Sequence, residues 1–297
     1  MFLCIALDVA PAHGDPRLFR QWTQDIDRIA AADPDMVILA RETEDGALAP
    51  GRLEAVVALP WLAGLLTRPI LVASMPALHA VPFHIARALS AADFLSGGRA
   101  GWMPLTTALD GYDAAYGGPA HHAGSVEALA KADDFVRATQ ALWDSWDENA
   151  LVLDKASGAY LDSDKVRRVA YQGPYFSTMG PLNAARPPQG YPLLVRDLDD
   201  IGYSGVLADI LIGGRAMIEN TSLGVRLLKT PGPNLQDNLA AVAAGAAEGL
   251  HLMGDSAIET LATLRARHPR MADAKASGRE RLGLRNPLNP YAPPSAF

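Results

Sequence analysis

Two threonines, Thr106 and Thr107, follow the apolar run Ala100–Leu105, and a serine, Ser74, stands near the end of another, Ile70–Met75. Hydroxyls placed where buried strands run out lie at the carboxyl edge of a parallel sheet, where α/β proteins hold their ligands. Hydroxyls after a strand also cap the next helix, and the threonine pair reads equally well that way. His84 stands one turn into a helix opened by Pro82. A neutral imidazole there can hydrogen-bond a ligand or simply hold a loop carbonyl.

Other reactive types read more plainly. Cys4 lies in an apolar run, where a buried, inert thiol is the ordinary case, and a single cysteine excludes an internal disulfide framework or a cysteine zinc site. His121 and His122 are adjacent, a poor arrangement for one metal ion, and no partner stands at suitable spacing. No metal site is expected. Trp102, Trp143 and Trp146 are large apolar side chains whose default is core or lid packing. Asp144 and Asp147 flank a helix end and read as surface charges.

Elements must position these groups. Apolar runs at Phe2–Val9, Met36–Ala40, Ile70–Met75, Ala100–Leu105, Pro192–Arg196, Val206–Ile212, Leu223–Leu228 and Gly249–Met253 read as buried strands. Helical spacing separates most of them, at Phe19–Ile29, Leu53–Leu66, Pro82–Phe94, Ser125–Trp146 and Asn234–Glu248, with a last helix at Ile258–Arg267. Alternation of this kind predicts parallel pairing with right-handed crossovers, and eight units predict a (β/α)8 TIM barrel filling one domain, residues 1–297. An open doubly wound sheet is the alternative, disfavoured because no Gly-x-Gly-x-x-Gly follows the first strand. Residues 147–190 break the rhythm; so long a stretch without helical period reads as a functional excursion. The proline-rich tail from Asn286 reads as an extended strap.

With 297 residues, 49% of them hydrophobic, the chain can bury a large core. A net charge of −7 with no basic cluster argues against nucleic acid as a partner. The start lacks a basic segment and meets Asp8 early, so it reads as a strand rather than a signal peptide. The longest apolar stretch, Leu53–Leu66, is interrupted by Glu54, Pro60 and Gly64 and is too short to span a bilayer. A cytoplasmic location with no membrane partner is the expectation.

Several words in the chain carry a family resemblance. Pro82-Phe-His-Ile-Ala-Arg87 and Asp93-Phe-Leu-Ser-Gly-Gly-Arg-Ala-Gly-Trp102 resemble the luciferase-like flavin monooxygenases, in particular the nitrilotriacetate and dibenzothiophene-sulfone branch. More specific are Leu142-Trp-Asp-Ser-Trp146, Asp154-Lys-Ala-Ser-Gly158, Gly173-Pro-Tyr-Phe176, Gly180-Pro-Leu-Asn183 and Pro188-Gln-Gly190, which occur in the family's order. Ala246-Ala-Glu-Gly-Leu-His-Leu-Met253 is a weaker match.

The resemblance implies flavin mononucleotide (FMN) at the carboxyl end of a luciferase-like barrel, received reduced from a separate flavin reductase. It further implies O2 activation, a small organic substrate, and a homodimer or a mixed oligomer with a relative. His84 matches the family's active-site histidine. Ser74, Trp102, Thr106 and Thr107 fall at cofactor positions, and Tyr175 and Phe176 in the substrate-side loop, where aromatics also pin loops down.

The same comparison exposes departures. Met103-Pro104 replaces an asparagine that follows the tryptophan in relatives, and Leu129 stands where they carry a tyrosine. A long insertion before the Asn234 helix is missing, which leaves the mouth open or closed by residues 147–190. After the fifth barrel strand relatives have a Gly- and Ser-rich turn holding the flavin phosphate, whereas this chain reads Val195-Arg-Asp-Leu-Asp-Asp-Ile201. Bulk and negative charge oppose a dianion there, with Arg196 able to compensate only if it faces inward. Two readings therefore stand: an FMN-dependent monooxygenase, or a flavin-less, non-catalytic luciferase-like subunit.

Overall fold

The computed structural model describes residues 1–9, 16–40, 53–106, 125–201, 205–270 and 276–292. The eight apolar runs become parallel strands because each is flanked on both sides by other elements and so needs no polar face. They are β1 (Phe2–Asp8), β2 (Met36–Ala40), β3 (Ile70–Pro76), β4 (Ala100–Leu105), β9 (Leu193–Asp197), β10 (Ile210–Gly213), β11 (Val225–Pro231) and β12 (Gly249–Met253). They close into a barrel in chain order, β12 pairing with β1 through Phe2–Gly249 and its successors. The barrel prediction holds.

Alternation along each strand divides the interior in two. Cys4, Met36, Ile38, Val72, Met103 and Val195 belong to the group filling the lumen. Residues between them, Trp102 and Leu250 among others, face the helix layer and pack there with α1 (Pro16–Ala32), α2 (Ala55–Leu65), α3 (Pro82–Ser96) and α4 (Val126–Trp143). Ser125 caps α4 by accepting the Ala128 N–H at 3.2 Å. α3 begins on Pro82, whose missing N–H costs nothing in the first turn. It stops at Gly97, which adopts φ 67°, a left-handed conformation that disfavours any side chain.

The layer thins on one side. Among the described residues the crossover between β9 and β10 carries one helical turn, α5 (Leu198–Ile201), and that between β10 and β11 another, α6 (Arg215–Ile218). Single turns have no periodicity to read. The β10 strand accordingly starts at Ile210, later than the apolar run at Val206 suggests. β11 passes into α7 (Leu235–Ala243) through a single 3₁₀ turn, Gly232–Asn234, and α8 (Ala257–Arg267) and α9 (Gly278–Arg281) follow β12.

The excursion is two small hairpins, β5 (Leu151–Asp154) with β6 (Ala159–Leu161) and β7 (Tyr171–Gln172) with β8 (Ser177–Thr178). It connects the end of α4 to the start of β9, so it leaves and re-enters on the amino-terminal face of the barrel. The reading that it closes the mouth is therefore corrected: the connectivity puts it at the opposite end. The strap lies against it, Asn289 donating to Asp144 O at 3.0 Å and to Asp147 Oδ1 at 2.9 Å.

Asp144 is also corrected. It is buried, paired with Arg186 and accepting from Tyr191 OH, because the excursion folds back over the α4 end and takes it out of water. Asp147 is partly buried and paired with Arg167.

Candidate active site at the carboxyl end of the barrel

Strand parity decides which side chains reach the mouth. Ser74 follows Ile70 and Val72 on the lumen side and donates to Leu39 O at 2.8 Å. Its partner in register on β4 is Met103, so an apolar thioether, not a hydroxyl, stands beside it. On β12, His251 points inward and its Nδ1 lies 3.2 Å from Cys4 Sγ. Full burial, then Lys229, pulls the imidazole down to about 4, and burial, then Asp35, pushes the Cys4 thiol up, so both are neutral groups at pH 7. Cys4 is a buried, inert thiol as its setting suggests.

The polar centre of the mouth is Lys229 on β11. Its Nζ reaches Asp197 Oδ2 at 2.7 Å and Asp199 Oδ2 at 2.9 Å. Burial works against the ammonium, but the two carboxylates outweigh it and hold the amine above its ordinary value. Burial raises Asp197 despite Lys229. Burial also opposes ionisation of Asp199, yet Lys229 and the Gly214 N–H leave that carboxyl below the usual range.

Three backbone donors at neighbouring strand exits are taken by the same short segment. Asp200 Oδ2 accepts the Thr106 N–H after β4 at 2.9 Å, and the Thr106 hydroxyl turns to the same oxygen at 3.3 Å. Asp197 Oδ1 accepts the Asp199 N–H at 3.0 Å, and Asp199 Oδ1 accepts the Gly214 N–H after β10 at 3.2 Å. Arg196 does not compensate. It faces the helix layer, buried, and pairs with Asp133 of α4 at 2.8 Å.

The expected site residues thus scatter. Ser74 is in the lumen, Thr106 is buried with its hydroxyl directed at Asp200, and His84 is exposed near the start of α3. Thr107, like His121 and His122, lies outside the described residues. Trp102 is a correction for the indole: it sits on the outer side of the barrel wall, 6.0 Å from Phe135 and 5.6 Å from Trp143 between ring centroids. Trp143 and Trp146 are buried too, the core packing expected of them.

Phe176 is likewise packed on α4, edge-on to Phe135 at 5.7 Å, and Tyr175 is exposed beside it. Both backbone N–H groups bind Asp134 Oδ2, at 2.8 and 2.7 Å. The Phe176 ring and the two backbone N–H groups pin the hairpin to α4, outside the lumen, and the substrate-side assignment is corrected to that extent. Missed by sequence reasoning was Lys229, a lone lysine near the end of an apolar strand whose acidic partners are distant in sequence. Among the described residues no group of three or more metal-ligating side chains gathers, and no helix is long and apolar enough to cross a membrane.

Known proteins resemble the chain to differing extents. No family model matches it. Over 231 residues it is 31% identical to one of the subunits of pristinamycin IIA synthase of Streptomyces pristinaespiralis, an overlap of 77% of this chain and 74% of that one. It is 35% identical over 145 residues to N-acetyl-S-(2-succino)cysteine monooxygenase of Bacillus subtilis (strain 168), covering 49% of this chain. It is 40% identical over 124 residues to dibenzothiophene-sulfone monooxygenase of Rhodococcus erythropolis, covering 42%. The chain spans only 33% and 27% of the length of those two monooxygenases. In fold it is similar to a long-chain alkane monooxygenase structure, with a TM-score of 0.75, 14% identity and 95% of each chain covered.

Proposed function

This chain belongs to the luciferase-like flavin-dependent monooxygenase family, and on that footing we propose that it works as one component of a multi-chain, two-component monooxygenase. In this reading the assembly oxidises a small organic substrate with O2, using reduced FMN from a separate flavin reductase. The observation that carries it is the match along some three-quarters of both chains with one member of a two-chain synthase. The second chain of that synthase also matches, at 35% identity over 106 residues. A pair of related chains acting together suits a barrel in which the described polar groups at the fifth exit are bound to one another.

The lumen side of the mouth retains features compatible with a ring system: Ser74 on β3, the apolar Met103 and Leu105 beside it, and His84 near the rim. The side that would receive a phosphate does not fit one. The Thr106 and Gly214 N–H groups there already serve carboxylates, and Lys229 is held by two of them. No reaction step is therefore assigned to a flavin on this chain. Among the described residues, those at four strand exits bind one another.

Purified chain, a candidate longer luciferase-like chain, a flavin reductase, NADH and FMN would be combined and O2 uptake followed with a panel of sulfones, aminopolycarboxylates and aldehydes. Substrate-dependent uptake that requires this chain is expected. Uptake unaffected by leaving it out, across partners that co-purify with it, would overturn the reading.

A further inference from the structure

We infer that the rim spanning β4, β9, β10 and β11 is an anion site filled by the chain's own carboxylates, so that FMN gains nothing from its phosphate here. The inference deepens the proposed function, on which it rests for its biological meaning: flavin chemistry would belong to the partner chain.

Anion sites in α/β proteins are made of backbone N–H groups at strand exits reinforced by a cation. Those parts are present. Thr106 N–H, Asp199 N–H and Gly214 N–H lie at three successive exits, and Lys229 bonds Asp197 and Asp199, two of the carboxylates that answer them. Each is already answered by Asp197, Asp199 or Asp200, which leave β9 together and fan out to their neighbours. The carboxylates supply the oxygen acceptors that a phosphate would otherwise bring.

Space and charge point the same way. Asp199 Oδ1 lies 3.6 Å from where a Cβ on Gly214 would be, so the carboxylate is seated against the turn after β10. Two carboxylates, Asp197 and Asp199, face one lysine, and a third, Asp200, stands on the same short segment against Thr106. Arg196 of β9 points to the helix layer and pairs through Nη2 with Asp133 of α4. An incoming dianion must displace these internal bonds and then sit beside the charges it displaced, in surroundings where like charges a few ångströms apart repel appreciably.

Riboflavin and FMN share the ring and differ by the phosphate, which makes their ratio of dissociation constants the direct readout. Fluorescence titration of the isolated 297-residue chain should give constants within about threefold of each other, or no saturation for either at millimolar ligand. FMN bound more than about tenfold tighter than riboflavin would overturn the inference. The double variant Asp199→Ser/Asp200→Ser frees the Thr106 and Gly214 N–H groups and leaves Lys229 with Asp197 as its one remaining carboxylate partner among the described residues, and should shift the ratio about tenfold or more toward FMN. If that protein does not fold, as judged by circular dichroism, Asp199→Asn/Asp200→Asn keeps the shape, removes two charges and should shift the ratio in the same direction. A ratio unmoved in a folded variant counts against the inference. The activity of the assembly is read separately. Failure of the proposed function would leave this ratio unchanged, and a tight FMN site here would leave the proposed function standing.

Discussion

Gly173 approaches Asp134 so closely that a Cβ at Gly173 would fall 1.8 Å from Asp134 Oδ1. The carboxylate fills the turn of the β7–β8 hairpin, accepting from Tyr175 N, Phe176 N and the Tyr171 hydroxyl. This contact explains why the Gly-Pro-Tyr-Phe word begins with glycine: the hairpin is held to α4 through a carboxylate with no room for a methyl group.

Gly173→Ala should accordingly destabilise the protein by about 2–4 kcal/mol, through steric displacement of a buried, fully bonded carboxylate. Gly64→Ala is the control. Gly64 lies within α2 with nothing near its missing Cβ, and alanine there should stabilise by about 0.5–1 kcal/mol. Urea midpoints of the two variants moving the same way would contradict this account.

Gln189, the centre of the Pro-Gln-Gly word, joins three elements at the amino-terminal face. Its Nε2 donates to Asp93 Oδ1 at 2.7 Å and Ala100 O at 2.9 Å, and its Oε1 accepts from Arg279 N at 3.1 Å. Gln189→Ala should cost about 3 kcal/mol, since it leaves buried groups on α3, β4 and α9 unanswered. A loss below about 1 kcal/mol in chemical denaturation would show that water replaces the amide.

Two buried groups pull the pH dependence of stability in opposite directions. Burial, against the Gln189 and Ala100 donors, pushes the Asp93 carboxyl up to about 6. Its stabilising share is present below the unfolded value near 4 and is lost as pH rises through about 6. His251, lowered to about 4 by burial and Lys229, gives a share that is present above about 6.5 and is lost as pH falls through about 4. Each share is on the order of 3 kcal/mol. The unmodified chain should therefore vary little between pH 4 and 6.5 on account of these two. Asp93→Asn should become more stable with rising pH across that window and His251→Asn less stable, measured as unfolding free energy at several pH values.

Trp102 and Trp143 touch at right angles in the helix layer, yet only Trp143 bonds through its ring nitrogen, to Ala86 O at 2.9 Å. The Trp102 Nε1 finds no partner among the described residues. Trp102→Phe should cost about 1–2 kcal/mol for lost volume alone, and Trp143→Phe about 1 kcal/mol more for the lost hydrogen bond to Ala86 O. Thermal unfolding would show the order, and the reverse order would refute it.

The barrel was legible because continuous apolar strands and intervening helical periods are short-range patterns, written in consecutive residues. Met36–Ala40, Ala100–Leu105 and Gly249–Met253 are found where their composition puts them. The family words were legible as rare residue combinations, although the demands that Gly173, Gln189 and Asp93 answer are long-range contacts, Gly173 with Asp134 and Gln189 with Asp93. The acidity of the turn after the fifth barrel strand could also be read directly.

What that acidity does belonged to the tertiary structure. Asp200 meets Thr106, and Asp199 meets Gly214 and Lys229, only because closing the barrel sets the exits of β4, β9, β10 and β11 side by side. Facing, too, was decided by packing. A shift of one residue along a strand turns a side chain from the lumen to the helix layer, and that parity sent Trp102 and Arg196 outward and Lys229 inward. Asp144 was taken out of water by the excursion, whose path under the barrel depends on where α4 ends. The sequence alone pointed to a luciferase-like barrel and an acidic fifth exit. The three-dimensional pairing of distant residues, which no local pattern encodes, turned that exit into a rim bound to itself.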